Sequence, residues 1–176
     1  MSVNVSVSQL LATGFLDGLL LVLQETGMRP SSLLLEITES VFIHDGERAA
    51  QLLSELRRTG IRVALDDFGT GYSSLGYLRR FPVDLPNIDQ SFVADVGRDR
   101  AATAIVASVI ALARGLGLSV IAEGVETEQQ RQELAGMGCE LAQGHLFHPA
   151  MPAAAFGPWL DAAAAPTPAR PVRPGY

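Results

Sequence analysis

The stretch Ile61-Arg62-Val63-Ala64-Leu65-Asp66-Asp67-Phe68-Gly69-Thr70-Gly71-Tyr72-Ser73-Ser74-Leu75 decides the fold, because a short apolar run delivers two adjacent carboxylates and then breaks at glycines. Residues 61–65 are mostly apolar and partly β-branched, the pattern of a strand covered on both faces. Gly69 and Gly71 admit backbone angles closed to other residues, and Tyr72-Ser73-Ser74-Leu75 suits the opening of a helix with a Ser as N-cap. Two neighbouring Asp at the carboxyl end of a buried strand repel each other unless a cation neutralises them. A solvated loop whose acids have no task is the plain alternative.

The same strand-then-acid unit recurs on both sides. Val3 to Val7 alternates β-branched and small polar residues as a strand does, and Ser8 to Met28 is apolar at helical spacing, with Gly14 and Gly18 as weak points and Gly27-Met28-Arg29-Pro30 as its close. Ser32 to Thr38 is a second buried strand, ending in Glu36 and Glu39, and Asp45 to Thr59 is an amphipathic helix stopped by Gly60. Beyond the glycine loop come a short helix to Arg80, a strand from Phe81 to Asp89, and a strongly apolar helix from Ala101 to Leu116. Leu118 to Ala122 is the next strand and delivers Glu123 and Glu126; Thr127 and Gln130 fit a capping box for a helix ending at Gly136-Met137-Gly138. Cys139 to Phe147 reads as a last strand carrying Gln143-Gly144. Residues 1–160 then form one domain, and 161–176, Ala- and Pro-rich without apolar periodicity, an extended disordered tail.

Acids or amides thus stand at strand ends at positions 4, 36, 66–67, 89, 123 and 143. Alternating β and α with apolar strands predicts a parallel sheet covered by helices, with its working face at the carboxyl ends. About six units are present, against eight in a closed β/α barrel. Six also suit a doubly wound open sheet, but no Gly-rich phosphate fingerprint follows the first strand, which favours a TIM-like barrel lacking two strands.

Composition narrows the chemistry. With 48% hydrophobic residues in 176, the chain has ample material for a core. Its formal charge is −6, and all 13 basic residues are Arg. An acidic chain without a basic cluster suits neither duplex nucleic acid nor an anionic membrane surface. If it handles a phosphate, metal ions supply most of the positive charge. No apolar run reaches a membrane span without Gly or polar interruption, and the start lacks a basic leader segment, so the chain reads as cytoplasmic. The single cysteine, Cys139, excludes an intramolecular disulfide and a thiolate metal cluster.

In such a barrel Asn4, Glu36, Asp66, Asp67, Asp89 and Glu123 all project into one face. Hard oxygen donors in that number suit Mg²⁺ or Mn²⁺ rather than Zn²⁺, and two bridged ions are the arrangement that clamps a phosphodiester for in-line attack by water. Some of these acids can equally serve as N-caps or ion-pair partners. His145 and His148 are read as packing or solvent-facing residues rather than ligands.

These segments also carry a resemblance. Val3-Asn4-Val5-Ser6, Leu35-Glu36-Ile37-Thr38-Glu39-Ser40, Asp66 through Leu75, Ile121-Ala122-Glu123-Gly124-Val125-Glu126, and Gly138-Cys139 through Gln143-Gly144 resemble, in order, the motifs of the EAL domain family. The resemblance implies a TIM-like barrel that hydrolyses cyclic di-GMP to linear pGpG with two Mg²⁺ or Mn²⁺. It implies Asn4, Glu36, Asp66 and Glu123 as metal ligands, with Asp67 on the second ion. It further implies Asp89 holding a metal-bound water, Gln143 supporting the site, and Glu126 anchoring the loop of Phe68, Gly69, Thr70, Gly71, Tyr72 and Ser73. That loop in the family couples dimerisation to metal and substrate binding.

Two departures bear on activity. The family opens with two further strands, carrying the Glu-Ala-Leu motif, that have no counterpart here; this leaves open apolar edges and suggests a homodimer or association with an upstream segment, Met1 being an internal start. Where the family has Leu-Lys-Ile-Asp, this chain has Pro86-Asn87-Ile88-Asp89. A neutral Asn87 cannot replace a Lys that stabilises charge beside the attacking water, a loss typically on the order of 10²–10³ in rate. Pro86 removes a ladder donor and is expected only as a first strand residue. The expectation is therefore an EAL-type phosphodiesterase that is inactive or strongly impaired, the alternative being a non-catalytic cyclic di-GMP-binding, dimerisation or scaffold module.

Overall fold

A computed structural model describes residues 1–68 and 81–164. Six parallel strands, β1 (Ser2–Asn4), β2 (Leu34–Thr38), β3 (Arg62–Phe68), β4 (Leu85–Ile88), β5 (Ile121–Ala122) and β6 (Leu141–Ala142), lie side by side in chain order. Sequential order with no reversal removes the doubly wound alternative, whose strand order turns back at a switch point. The sheet curls into a half-barrel with helices on its outer face, matching the expected TIM-like barrel short of two strands.

The helices are α1 (Val7–Leu10), α2 (Phe15–Thr26), α3 (Ser40–Thr59), α4 (Gln90–Ala94), α5 (Arg100–Gly115), α6 (Glu128–Gly136) and α7 (Ala153–Ala164). The sheet's outer face is the core. Leu35, Ile37, Val63 and Leu65 pack with Leu10, Leu23, Val41, Leu53 and Leu56; Ile88 and Ala122 pack with Val106, Ile110, Ala113 and Leu134. Among the described residues no helix is long and apolar enough to cross a membrane.

Local chemistry explains where these bounds differ from the expected ones. The strand expected to reach Val7 stops at Asn4, because Ser6 caps α1: its hydroxyl accepts from Gln9 N at 3.3 Å, and Ser6 N donates to Gln9 Oε1 at 3.0 Å. The apolar stretch from Ser8 then divides, with Gly14 at φ 80° before α2. In α3 the backbone leaves helical angles at Asp45, whose carboxylate accepts from Arg48 N at 3.2 Å. Asp45 therefore restarts a helix that already has a turn before it. The strands expected over 81–89, 118–122 and 139–147 shrink to four, two and two residues. The extended tail expected from Asp161 is instead helical over residues 161–164, the end of α7; residues 165–176 lie outside the described set.

Pro86 is the second residue of β4 rather than its first, and it is buried opposite Leu65. Ile88 O accepts from Glu123 N at 3.1 Å, so the even-numbered residues of β4 face β5. Pairing with β5 begins only at Asn87, opposite Ile121, so the missing N–H of Pro86 falls before that ladder starts. At the other end of the sheet, Cys139 is half-buried before β6, its thiol donating to Leu141 O at 3.3 Å, and burial raises its pKa.

Candidate active site

Side chains along a strand alternate between faces, so the inner face follows from one buried cluster. Leu34, Ala64 and Leu85 pack with Ile121 inside the curl. Two residues further along each strand, on the same face, stand Glu36, Asp66, Asn87 and Glu123. Asn4 lies opposite Glu36 in register, and Gln143 lies two residues beyond Leu141. The inner face thus has an apolar tier below and a tier of amides and carboxylates above. Glu36 and Asn87 are buried, Asp66 and Glu123 half-buried, and Asn4 and Gln143, nearer the sheet edges, exposed.

Glu123 is the best-described member. Asn87 Nδ2 donates to its Oε1 at 2.7 Å and Gln143 Nε2 to the same oxygen at 3.0 Å, so one side chain from β4 and one from just past β6 hold the carboxylate between them. The backbone is pinned as well: Gln143 N donates to Ala122 O at 2.9 Å, and Val125 N to Gln143 O at 3.0 Å. Gly124 and Gly144 make this possible. At Gly124 φ is +69°, and a Cβ there would lie 2.5 Å from Gln90 Cβ; at Gly144 it would run into the Val125 backbone. Asn87 is wholly buried, and its Oδ1 has no hydrogen-bond partner among the described residues.

The remaining expected residues are placed as follows. Asp89 caps α4, its carboxylate accepting from Ser91 Oγ and, at 2.9 Å, from Ser91 N; the Ser91 hydroxyl holds its pKa below the usual aspartate value, against the pull of burial. Asp67 belongs to β3 by its backbone, where the register against β4 slips between Leu65 and Phe68, a bulge that sets two residues against one. Its side chain lies outside the described residues, as does the whole of 69–80, and with it Gly69, Thr70, Gly71, Tyr72 and Ser73. Phe68 ends β3, buried opposite Ile88. Glu126 is exposed, its N–H donating to Gln130 Oε1 at 2.9 Å. His145 is exposed; His148, also exposed, meets the Trp159 ring edge-on at 5.4 Å. Gln130 is a structural residue whose full part the sequence reading missed: beyond the capping box, its Nε2 donates to Val93 O at 3.3 Å and Ala94 O at 3.2 Å, tying α6 to α4.

The donor set is all oxygen, with one buried acceptor still unpartnered, and in kind it fits a hard divalent cation. Among the described residues, no three His, Cys, Asp or Glu side chains gather closely enough to hold a metal ion by themselves. Any such ion draws on the amides, or on residues beyond that set.

The family model described as "EAL domain" matches residues 1–150. The chain belongs to the EAL domain family. It is similar to the bifunctional diguanylate cyclase/cyclic di-GMP phosphodiesterase MucR of Pseudomonas aeruginosa, 41% identical over 86% of this chain and 22% of that protein. Among solved structures it resembles the EAL domain of Mycobacterium smegmatis DcpA, with a TM-score of 0.88 and 42% identity over 94% of this chain and 74% of that one. It also resembles Klebsiella pneumoniae BlrP1 in a manganese/cyclic di-GMP complex, with a TM-score of 0.76 and 36% identity over 82% and 37%. This EAL chain spans about a fifth of the length of the curated relatives it matches.

Proposed function

We propose that the chain is a divalent-metal-dependent phosphodiesterase domain acting on cyclic di-GMP, with a rate well below that of relatives that carry Lys at position 87. The observation that carries this reading is the upper tier of the inner face, to which Asn4, Glu36, Asp66 and Glu123 belong, each from a segment that resembles a motif of the family. MucR, named as a cyclic di-GMP phosphodiesterase, and BlrP1, solved with manganese and the nucleotide, support the substrate and the metal class.

In this reading Asn4, Glu36, Asp66 and Glu123 hold Mg²⁺ or Mn²⁺, with Asp67 toward a second ion. The bound cations supply positive charge at the phosphodiester and lower the pKa of water. The protein's own part is orientation. Gln143 and Asn87 fix the Glu123 carboxylate through one oxygen, and Asp89, held as an acceptor by Ser91, orients water. Glu126 anchors the loop spanning 68–75, which couples association with a second copy to metal and substrate binding, while the open sheet edges suit an upstream segment. Asn87 brings a dipole where a cation would lower the barrier, so turnover falls on the order of 10²–10³.

The test is incubation with cyclic di-GMP and Mn²⁺, with chromatography for pGpG. The expected result is slow turnover, abolished by chelation and by Glu36→Gln. Turnover indifferent to chelation overturns the metal reading, and calorimetric binding of the nucleotide with Ca²⁺ but no turnover leaves a receptor.

A further inference from the structure

We propose that Asn87 is itself a cation ligand, through its side-chain oxygen. The inference rests on the metal reading above, but the observation behind it is separate: Asn87 is 0% exposed, its Nδ2 lies 2.7 Å from Glu123 Oε1, and its Oδ1 is buried without a partner among the described residues.

The amide cannot be turned round to relieve this. An ionised carboxylate only accepts hydrogen bonds, so rotation by half a turn would set Oδ1 against Glu123 Oε1 and strand the NH₂ instead. Glu123 therefore fixes the direction of the carbonyl arm, which points away from β5. A buried carbonyl oxygen without a donor is costly, and native proteins leave few of them. Something electropositive is expected at Oδ1.

Position says what kind. Asn87 is two residues beyond Leu85, which packs with Leu34 and Ala64 in the lower inner tier, so its side chain belongs to the upper tier. Its neighbours in that tier by strand order are Asp66 on β3 and Glu123, just past the end of β5, both acceptors when ionised. Neither of these two carboxylate side chains carries an N–H to offer. An amide oxygen in a tier with carboxylates on both neighbouring strands completes a donor set for a hard divalent cation, and a neutral amide joins it without adding to the repulsion among the acids. One residue thus has two tasks: its nitrogen positions Glu123, and its oxygen meets the ion.

The chain contains two asparagines, Asn4 and Asn87, which makes the test direct. With ¹⁵N-asparagine labelling, the spectrum of the whole chain holds two side-chain amide pairs, and Asn4→Gln identifies that of Asn87. Titration with Mg²⁺ is expected to shift the Asn87 pair in step with binding. In parallel, Mn²⁺ binding followed by the electron paramagnetic resonance of the free ion is expected to weaken at least about tenfold in Asn87→Leu, the scale of loss reported even for outer-shell partners. Glu36→Gln serves as the control for the metal site as such.

An Asn87 amide pair that stays in place while Mn²⁺ binding is present and depends on Glu36 overturns this inference alone, leaving Oδ1 to a water. Absence of any Glu36-dependent binding overturns it together with the metal reading. The amide measurement uses Asn87 in place, so it decides the matter even if Asn87→Leu fails to fold.

Discussion

At the scale of the residue, neighbouring strand-end groups have taken different tasks. Asp66, Asn87 and Glu123 stay on the inner face, whereas Asp89, one residue past β4, is engaged at the start of α4. Its contribution to stability has a pH signature. Folding lowers the Asp89 pKa, chiefly through the Ser91 hydroxyl, so the stabilisation is fully present above the ordinary aspartate pKa of about 3.9 and is lost as pH falls through the lowered value. Asp89→Ala is expected to cost about 1 kcal/mol at neutral pH, as loss of an N-cap does. Urea denaturation of both proteins across the acid range should show the gap closing once Asp89 is protonated.

At the scale of the element, legibility followed periodicity. The apolar helix of α5 and the Thr127–Gln130 capping box were readable because both are local patterns. The start of α1 was not: the alternation of Val3, Val5 and Val7 imitates a strand, and Ser6 and Gln9 override it through their hydrogen bonds. Helix α7 escaped because Ala-rich sequence interrupted by Gly157 and Pro158 has no apolar stripe to read. The places of these acids and amides at the strand ends were legible from spacing, but not the bulge in β3, nor the bond from Asn87 to Glu123, which joins residues 36 apart. Gln130 shows the same limit, since its bonds to Val93 and Ala94 arise only from the docking of α6 beside α4. Gln130→Ala removes a buried side chain engaged at both ends. It should destabilise by about 2–3 kcal/mol, read as a lower urea midpoint at unchanged slope.

At the scale of the whole molecule, sequential strand order decides for the barrel, and it leaves β1 and β6 as the sheet's outermost described strands. These edges are thin: β6 has two residues, and Leu141 within it is 42% exposed. Short edges open more readily than central strands, since few contacts hold them. Beside β6 sits Cys139, the only thiol in the chain, held by Leu141 O and shielded enough that burial raises its pKa. The protein therefore comes with a built-in stopwatch. The rate at which a thiol reagent labels native Cys139, relative to the unfolded chain, counts the excursions of one barrel stave away from its neighbour. Labelling is expected to be slow and to slow further when Mn²⁺ is added, because Gln143 follows β6 and holds Glu123. A rate indifferent to the ion would mean that this margin of the sheet fluctuates independently of the site it borders.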